Sequence, residues 1–242
     1  MNYSSADILN FEKEIKEKCL VGDHPVFDNK DFEWVKLLED SSIQILGEYN
    51  DFINTFSNDE LLSMHELSAA QRPLSSDAKW KVIPLLLFNE VNTATTLMMP
   101  RTTSMINSIP VITTCFFSIL HPGKHIPPHR GPYAGVLRCH LALKVPKDSS
   151  NCWIRVANEK CQWESGKVLI FDDTYEHEAF NNTNEIRVVL FIDFLRPLPK
   201  DLAEKNRDII DFFQHSEFVK DPKSKYEKWE KKYLSPRQEK AN

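Results

Sequence analysis

Apolar residues in the first part of the chain recur at three- and four-residue steps. Phe32, Val35 and Leu38, then Ile43, Leu46, Tyr49 and Ile53, are separated by Glu, Asp and Lys. That spacing predicts amphipathic helices laid over a core. The chain turns polar from 67 to 79, where Pro73 and the Ser75-Ser76-Asp77 cluster predict a loop. A more apolar texture begins at 80–88. From about 112 to 195 the pattern is one of strands, with runs of β-branched, aromatic and aliphatic residues at 112–120, 137–145, 153–156, 168–171 and 186–194. Turn chemistry separates them, as in His121-Pro122-Gly123, Pro127-Pro128, Gly131-Pro132, Ser165-Gly166 and Asn181-Asn182-Thr183-Asn184. Short strands with no helix between them predict an antiparallel sandwich or barrel rather than a parallel α/β sheet. After Arg196-Pro197-Leu198-Pro199 the pattern is helical and charged again.

These textures divide one domain into an N-terminal helical region (1–66), a β core (80–199) and a C-terminal helical tail (200–242), in a chain of 242 residues. The fold class is therefore mainly β with flanking helices. The lysine-rich stretch 223–232, with Tyr226, Trp229 and Tyr233 in and beside it, reads as a solvated terminal helix.

Composition narrows the function. With 30 Lys and Arg against 35 Asp and Glu, the formal charge is −5, which argues against a nucleic-acid partner. No run approaches the roughly 18 apolar residues of a membrane helix, and the first twenty residues lack the order of a signal peptide. Cys19, Cys115, Cys139, Cys152 and Cys161 are too scattered for a disulfide framework. A reduced, cytoplasmic protein is expected. Six glycines leave no phosphate cradle or dinucleotide fingerprint.

Histidine is concentrated mid-chain, at His121, His125, His129, His140 and His177. The four-residue spacing of the first three would align them on a helix, but Pro122, Gly123, Pro127 and Pro128 forbid one. His129 sits in a rigid Pro-Pro turn feeding strand 137–145, and His177 follows strand 168–171. Two histidines at the ends of separate strands would build a metal site from opposed sheets, and such a site suits non-haem Fe(II). Alternation along 137–143 puts Arg138 and His140 on one face, opposite Leu137, Cys139, Leu141 and Leu143. Arg187 lies in an otherwise apolar strand. It is either at an exposed strand start or buried with an anion, and that anion is Glu185, Asp193 or a carboxylate cosubstrate.

The run Phe117-Ser118-Ile119-Leu120-His121-Pro122-Gly123-Lys124-His125-Ile126-Pro127-Pro128-His129-Arg130-Gly131-Pro132, then Leu137-Arg138-Cys139-His140-Leu141, resembles the aspartyl/asparaginyl β-hydroxylase family. So does Trp163-Glu164-Ser165-Gly166-Lys167-Val168-Leu169-Ile170-Phe171-Asp172-Asp173-Thr174-Tyr175-Glu176-His177-Glu178, followed by Arg187. The resemblance implies a double-stranded β-helix, a jelly-roll or cupin-like barrel, that uses Fe(II), 2-oxoglutarate and dioxygen to hydroxylate an unactivated carbon. It implies His129 and His177 as iron ligands, and Ser118 and Arg187 as holders of the distal carboxylate of 2-oxoglutarate. His140 would contact the cosubstrate near the metal, and Arg138 would lie near the substrate. The family is also similar to bacterial lipid A 2-hydroxylases. The substrate is thus a small molecule, a peptide or an acyl chain, with a non-catalytic metal or small-acid binding module as the rival from another class. A zinc hydrolase would need a third ligand, for which Asp172, Asp173, Glu176 and Glu178 are available. At Gly131 this chain lacks the carboxylate that many 2-oxoglutarate oxygenases carry two residues after the first histidine. Either Asp173 supplies it, or no protein carboxylate binds.

Overall fold

The computed structural model describes residues 3–109 and 112–237, so the last five residues of the charged tail lie outside the described residues. Among the described residues eleven strands form two antiparallel sheets. The larger sheet holds β1 (Leu62–Ser63), β2 (Trp80–Leu87), β3 (Glu90–Val91), β4 (Ile112–Leu120), β6 (Val136–Lys144), β9 (Val168–Phe171) and β11 (Arg187–Leu195). The smaller holds β5 (Lys124–His129), β7 (Cys152–Val156), β8 (Glu159–Gln162) and β10 (His177–Asn181), in the order β5-β10-β7-β8. From β4 onward the chain passes back and forth between the sheets, which is the winding of a double-stranded β-helix.

Period-two alternation decides what each face of the larger sheet carries. In β11, Arg187, Val189, Phe191 and Asp193 share a face with Leu120, Ser118, Phe116 and Thr114 of β4. Across the other edge, Ala142, His140 and Arg138 of β6 stand opposite Val189, Phe191 and Asp193. This face collects the polar and ionisable groups and looks into the barrel. The opposite face is apolar, with Leu190, Ile192, Phe194, Cys139, Leu141, Cys115 and Phe117 all buried. Helices α2 (Val35–Asp40) and α3 (Ser42–Ile53) cover it. Tyr49 meets Phe117 at 5.3 Å between ring centroids, and Trp34 meets Phe194 at 5.0 Å. Each large side chain so buried contributes about 1.5–3 kcal/mol.

Two elements depart from the pattern read along the sequence. The helical stripe is real, but its phase resets at Ser41, where α2 ends and α3 begins. Ile45, Tyr49 and Phe52 therefore face the core and Ile43 is 82% exposed. The segment around Pro127-Pro128 is a strand rather than a turn. It tolerates two prolines because β5 is the edge of its sheet, where a missing N–H disrupts little of the ladder.

At the C-terminus, α7 (Lys200–Gln214) and α8 (Glu217–Trp229) fold back over the barrel. Tyr226 and Trp229 are buried, and the Trp229 indole N–H donates to the Glu60 carbonyl at 2.7 Å. The aromatic residues of the tail are thus packed, not solvated. A second core, of Phe11, Ile15, Tyr133, Leu198, Leu202 and Ile209, joins α1 (Ser5–Glu17) to α7. The five cysteines are free. Among the described residues no helix is long and apolar enough to cross a membrane.

Candidate active site

His129 ends β5 and His177 opens β10, and the two are cross-strand partners with ring centroids 4.1 Å apart. They come from neighbouring strands of one sheet, not from opposed sheets as the strand spacing suggests. Each ring is fixed in the same way. The Nδ1 of His129 lies 2.8 Å from the Pro127 carbonyl, and that of His177 lies 3.0 Å from the Tyr175 carbonyl. A carbonyl can only accept, so the proton sits on Nδ1 and each Nε2 keeps its lone pair. Burial, the neighbouring ring and Arg138 push the His177 pKa down to about 3, and burial lowers that of His129. Both imidazoles are neutral at ordinary pH. Two neutral rings with adjacent Nε2 lone pairs are the donor set a divalent first-row metal takes. Among the described residues no group of three His, Cys, Asp or Glu side chains could hold a metal. His125 is turned elsewhere, with its Nε2 2.8 Å from Glu178.

Gly131 explains part of that arrangement. A Cβ there would fall 2.1 Å from Oδ2 of Asp173, so the Asp173 carboxylate occupies the space a side chain at 131 would need. The Gly131 amide also donates to the Asp173 carbonyl at 2.7 Å. Asp173 is buried, and burial raises its pKa. It pairs with Arg138, whose Nη2 lies 2.8 Å away, while Arg138 Nε donates to Asp193 at 2.9 Å. The guanidinium also lies over the Phe191 ring, 4.3 Å from its centroid. Arg138 therefore stands between two carboxylates, beside the histidine pair.

Deeper in the barrel, Arg187 is buried with no carboxylate partner among the described residues. Its Nη1 is 3.5 Å from both the carbonyl oxygen and Oγ of Ser118, and its Nε has no hydrogen-bond partner. Glu185 and Asp193, the salt-bridge partners its sequence neighbourhood offers, are used elsewhere: Glu185 accepts from the Lys147 amide and Asp193 from Arg138. Burial lowers the Arg187 pKa to about 10, so it remains charged. His140 is in a like position. The indole N–H of Trp163 donates to its Nδ1 at 3.3 Å, which places the proton on Nε2, and that buried donor has no partner. Burial first, then Arg187 and Arg138, keeps the ring neutral. Unpartnered buried donors of this kind cost free energy unless a ligand satisfies them.

Apart from Phe191, the residues that complete this pocket carry no signal of that role in the sequence. Trp163 stacks under Arg187, 4.6 Å from ring centroid to guanidinium carbon. The Trp80 indole donates to Ser118 Oγ at 3.0 Å. Phe191 could have been found, since it shares strand parity with Arg187. Trp163 lies in a loop before β9 and offered no periodicity to read.

A cavity of about 630 Å³ opens from this site. It begins at His129, Arg138 and Asp173 and continues between mainly apolar walls that include Leu67, Leu87, Phe116, Phe191, Ile210 and Phe213. Its volume is in the range of small-molecule sites.

The profile of the family described as Aspartyl/Asparaginyl beta-hydroxylase matches residues 40–197. An ornithine lipid ester-linked acyl 2-hydroxylase of Rhizobium tropici is 39% identical over 215 residues, covering 89% of this chain and 76% of its own. The human aspartyl/asparaginyl beta-hydroxylase is 43% identical over 103 residues, 40% of this chain and 13% of that one. The chain thus spans most of the bacterial relative and a small part of the human one. Among solved structures, a Pseudomonas putida prolyl-4-hydroxylase aligns at 12% identity and a TM-score of 0.42, covering 67% of this chain and 98% of that one. With the family profile matched over most of its length and a long, substantially identical relative, this chain belongs to the aspartyl/asparaginyl β-hydroxylase family of hydroxylases.

Proposed function

We propose that the protein is an Fe(II)- and 2-oxoglutarate-dependent dioxygenase that hydroxylates the acyl chain of a lipid. The observation that carries the cosubstrate half is Arg187, a buried guanidinium with no carboxylate to answer it among the described residues. A dicarboxylate would fit that need: Arg187 and Ser118 would hold its distal carboxylate, and His140 Nε2 would be available to its other end. His129 and His177 would hold the iron through Nε2. When bound, iron and 2-oxoglutarate supply the oxidising power for dioxygen chemistry at an unactivated C–H bond.

The chain's own residues do the positioning. The Pro127 and Tyr175 carbonyls lock both imidazoles in the tautomer that binds a metal. Trp163 and Trp80 orient His140 and Ser118 and wall the pocket with aromatic surface. Together with Phe191 they exclude water, which strengthens the electrostatics of Arg187 toward an anion. Arg138 already lies between Asp173 and Asp193, so its charge is spent within the protein. That favours an uncharged acyl chain over an acidic side chain as the group presented to the metal. The apolar cavity and the acyl substrate named for the Rhizobium relative support the same choice.

The test is 2-oxoglutarate binding by calorimetry, with Arg187→Met as the comparison. Loss of a buried charge-assisted pair should weaken binding at least about thirtyfold, the equivalent of ~2 kcal/mol or more. The apo variant should melt no earlier than the parent, because the buried charge removed has no carboxylate partner among the described residues. Equal affinity in the variant, or a lower melting temperature without a binding defect, would make Arg187 a structural residue and sink the reading.

A further inference from the structure

The walls of the cavity come from two different parts of the chain. One is the barrel's inner face, through Leu87, Phe116 and Phe191, together with the segment around Leu67 and Leu74. The other is the C-terminal helix pair, through Ile210 and Phe213 of α7 and Val219 and Pro222 of α8. The family profile ends at residue 197. This second wall is therefore built from sequence outside the part that defines the family, while the histidines, Ser118, Arg138 and Arg187 all lie inside it.

The helix pair is fastened in place. The Asn206 amide donates to the Gly135 carbonyl at 2.8 Å, and the Tyr133 hydroxyl donates to Asn206 Oδ1 at 2.7 Å. Both contacts tie α7 to the chain segment that follows Gly131. On α8, Asp221 accepts from the Ala69 amide at 3.1 Å, and Tyr226 and Thr95 share a hydroxyl–hydroxyl hydrogen bond. The Phe213 ring packs edge-on against Tyr133 at 5.4 Å. A wall held by polar contacts at both ends presents a fixed shape to whatever enters.

We infer that α7 and α8 set the length of acyl chain the enzyme accepts, with Phe213 and Val219 as the specificity-determining residues. This rests on the acyl reading above. An alkyl chain gains affinity with each methylene it buries, and the gain stops where the wall prevents further entry. Enlarging Val219 should bring that limit to shorter chains, and truncating Phe213 should move it to longer ones.

The probe is a series of straight-chain 1-alkanols from about eight to about sixteen carbons, uncharged so that Arg187 contributes nothing. Binding to the full-length protein is read by quenching of tryptophan fluorescence, to which Trp80 on the cavity wall contributes. For the parent we expect affinity to rise roughly fourfold per methylene, the equivalent of about 0.8 kcal/mol, up to a limiting length. Val219→Trp should lower that length by two carbons or more, and Phe213→Ala should raise it, at melting temperatures close to the parent's. Because the two variants move in opposite directions, either alone remains decisive if the other fails to fold. A parent that shows the limit while both variants keep it would overturn the wall assignment and leave the acyl reading standing. A parent that binds no alkanol of any length would remove the acyl reading and the wall with it.

Discussion

Gly131 is the residue on which the surroundings of the histidine pair turn. Two positions after the first histidine, where many 2-oxoglutarate oxygenases place a carboxylate, the chain has no side chain, and Asp173 from the turn between β9 and β10 fills the space. Asp173 instead pairs with Arg138, and it is not grouped with the two histidines as a three-residue donor set among the described residues. Gly131→Ala should destabilise the protein by about 1–3 kcal/mol, the usual cost of overpacking. Asp173→Ala combined with it should recover part of that loss, because the clash partner is gone. A double-mutant cycle from denaturant melts measures the coupling. Additive effects would mean that the two positions do not compete for space. The same scale shows what could be read without coordinates. Arg138 and His140 do share a face, as alternation predicts, and Arg187 is buried, one of the two options left open for it. What the strand pattern withholds is the partner list: only the fold reveals that Asp193 is taken by Arg138 and that, among the described residues, no carboxylate answers Arg187.

At the scale of elements, the ends of β9 and β11 are pinned by a buried ion pair. Arg196 Nη2 donates to Asp172 Oδ2, and Arg196 Nε to the Ala134 carbonyl, while Lys16 of α1 approaches Asp172 at 3.3 Å. Burial opposes ionisation of Asp172, but Arg196, Thr174 and Lys16 outweigh it and hold its pKa below the ordinary value. A carboxylate lowered on folding contributes fully above its unfolded pKa of about 3.9, and that contribution is lost as pH falls through the lower folded value. Asp172→Asn should cost roughly 3–5 kcal/mol at neutral pH, because Arg196 is left buried and unpaired. It should also flatten the acid limb of the stability curve below about pH 4. Urea melts from neutral to acid pH check both, and an unchanged acid limb would locate the acid sensitivity elsewhere. The strands at 112–120, 168–171 and 186–194 are legible to within a residue because strands buried on both faces are written as nearly continuous apolar runs. Strands β5 and β10 are not. Both carry the histidines and break local rules, β5 with two prolines and β10 with a register shift just after His177.

At the scale of the whole molecule, the barrel's polar inner face carries the groups proposed to bind a metal and a dicarboxylate, and an apolar cavity leads away between the barrel and the C-terminal helices. The division of labour follows the sequence. The histidine pair, Ser118, Arg138, His140 and Arg187 lie inside the family-matched span, and helices outside it line the cavity. That lining could not be read from the charged tail, whose buried aromatic residues are spaced among lysines that stay at the surface. The central claim is tested most directly by measuring succinate formed from 2-oxoglutarate by the purified protein, with Fe(II) and oxygen, alongside His129→Ala and His177→Ala. The account predicts succinate only with added iron, and at least about a hundredfold loss in either variant while the fold is kept, the scale on which removing an essential participant acts. Iron-independent turnover, no succinate from the parent, or undiminished turnover in either histidine variant would contradict it.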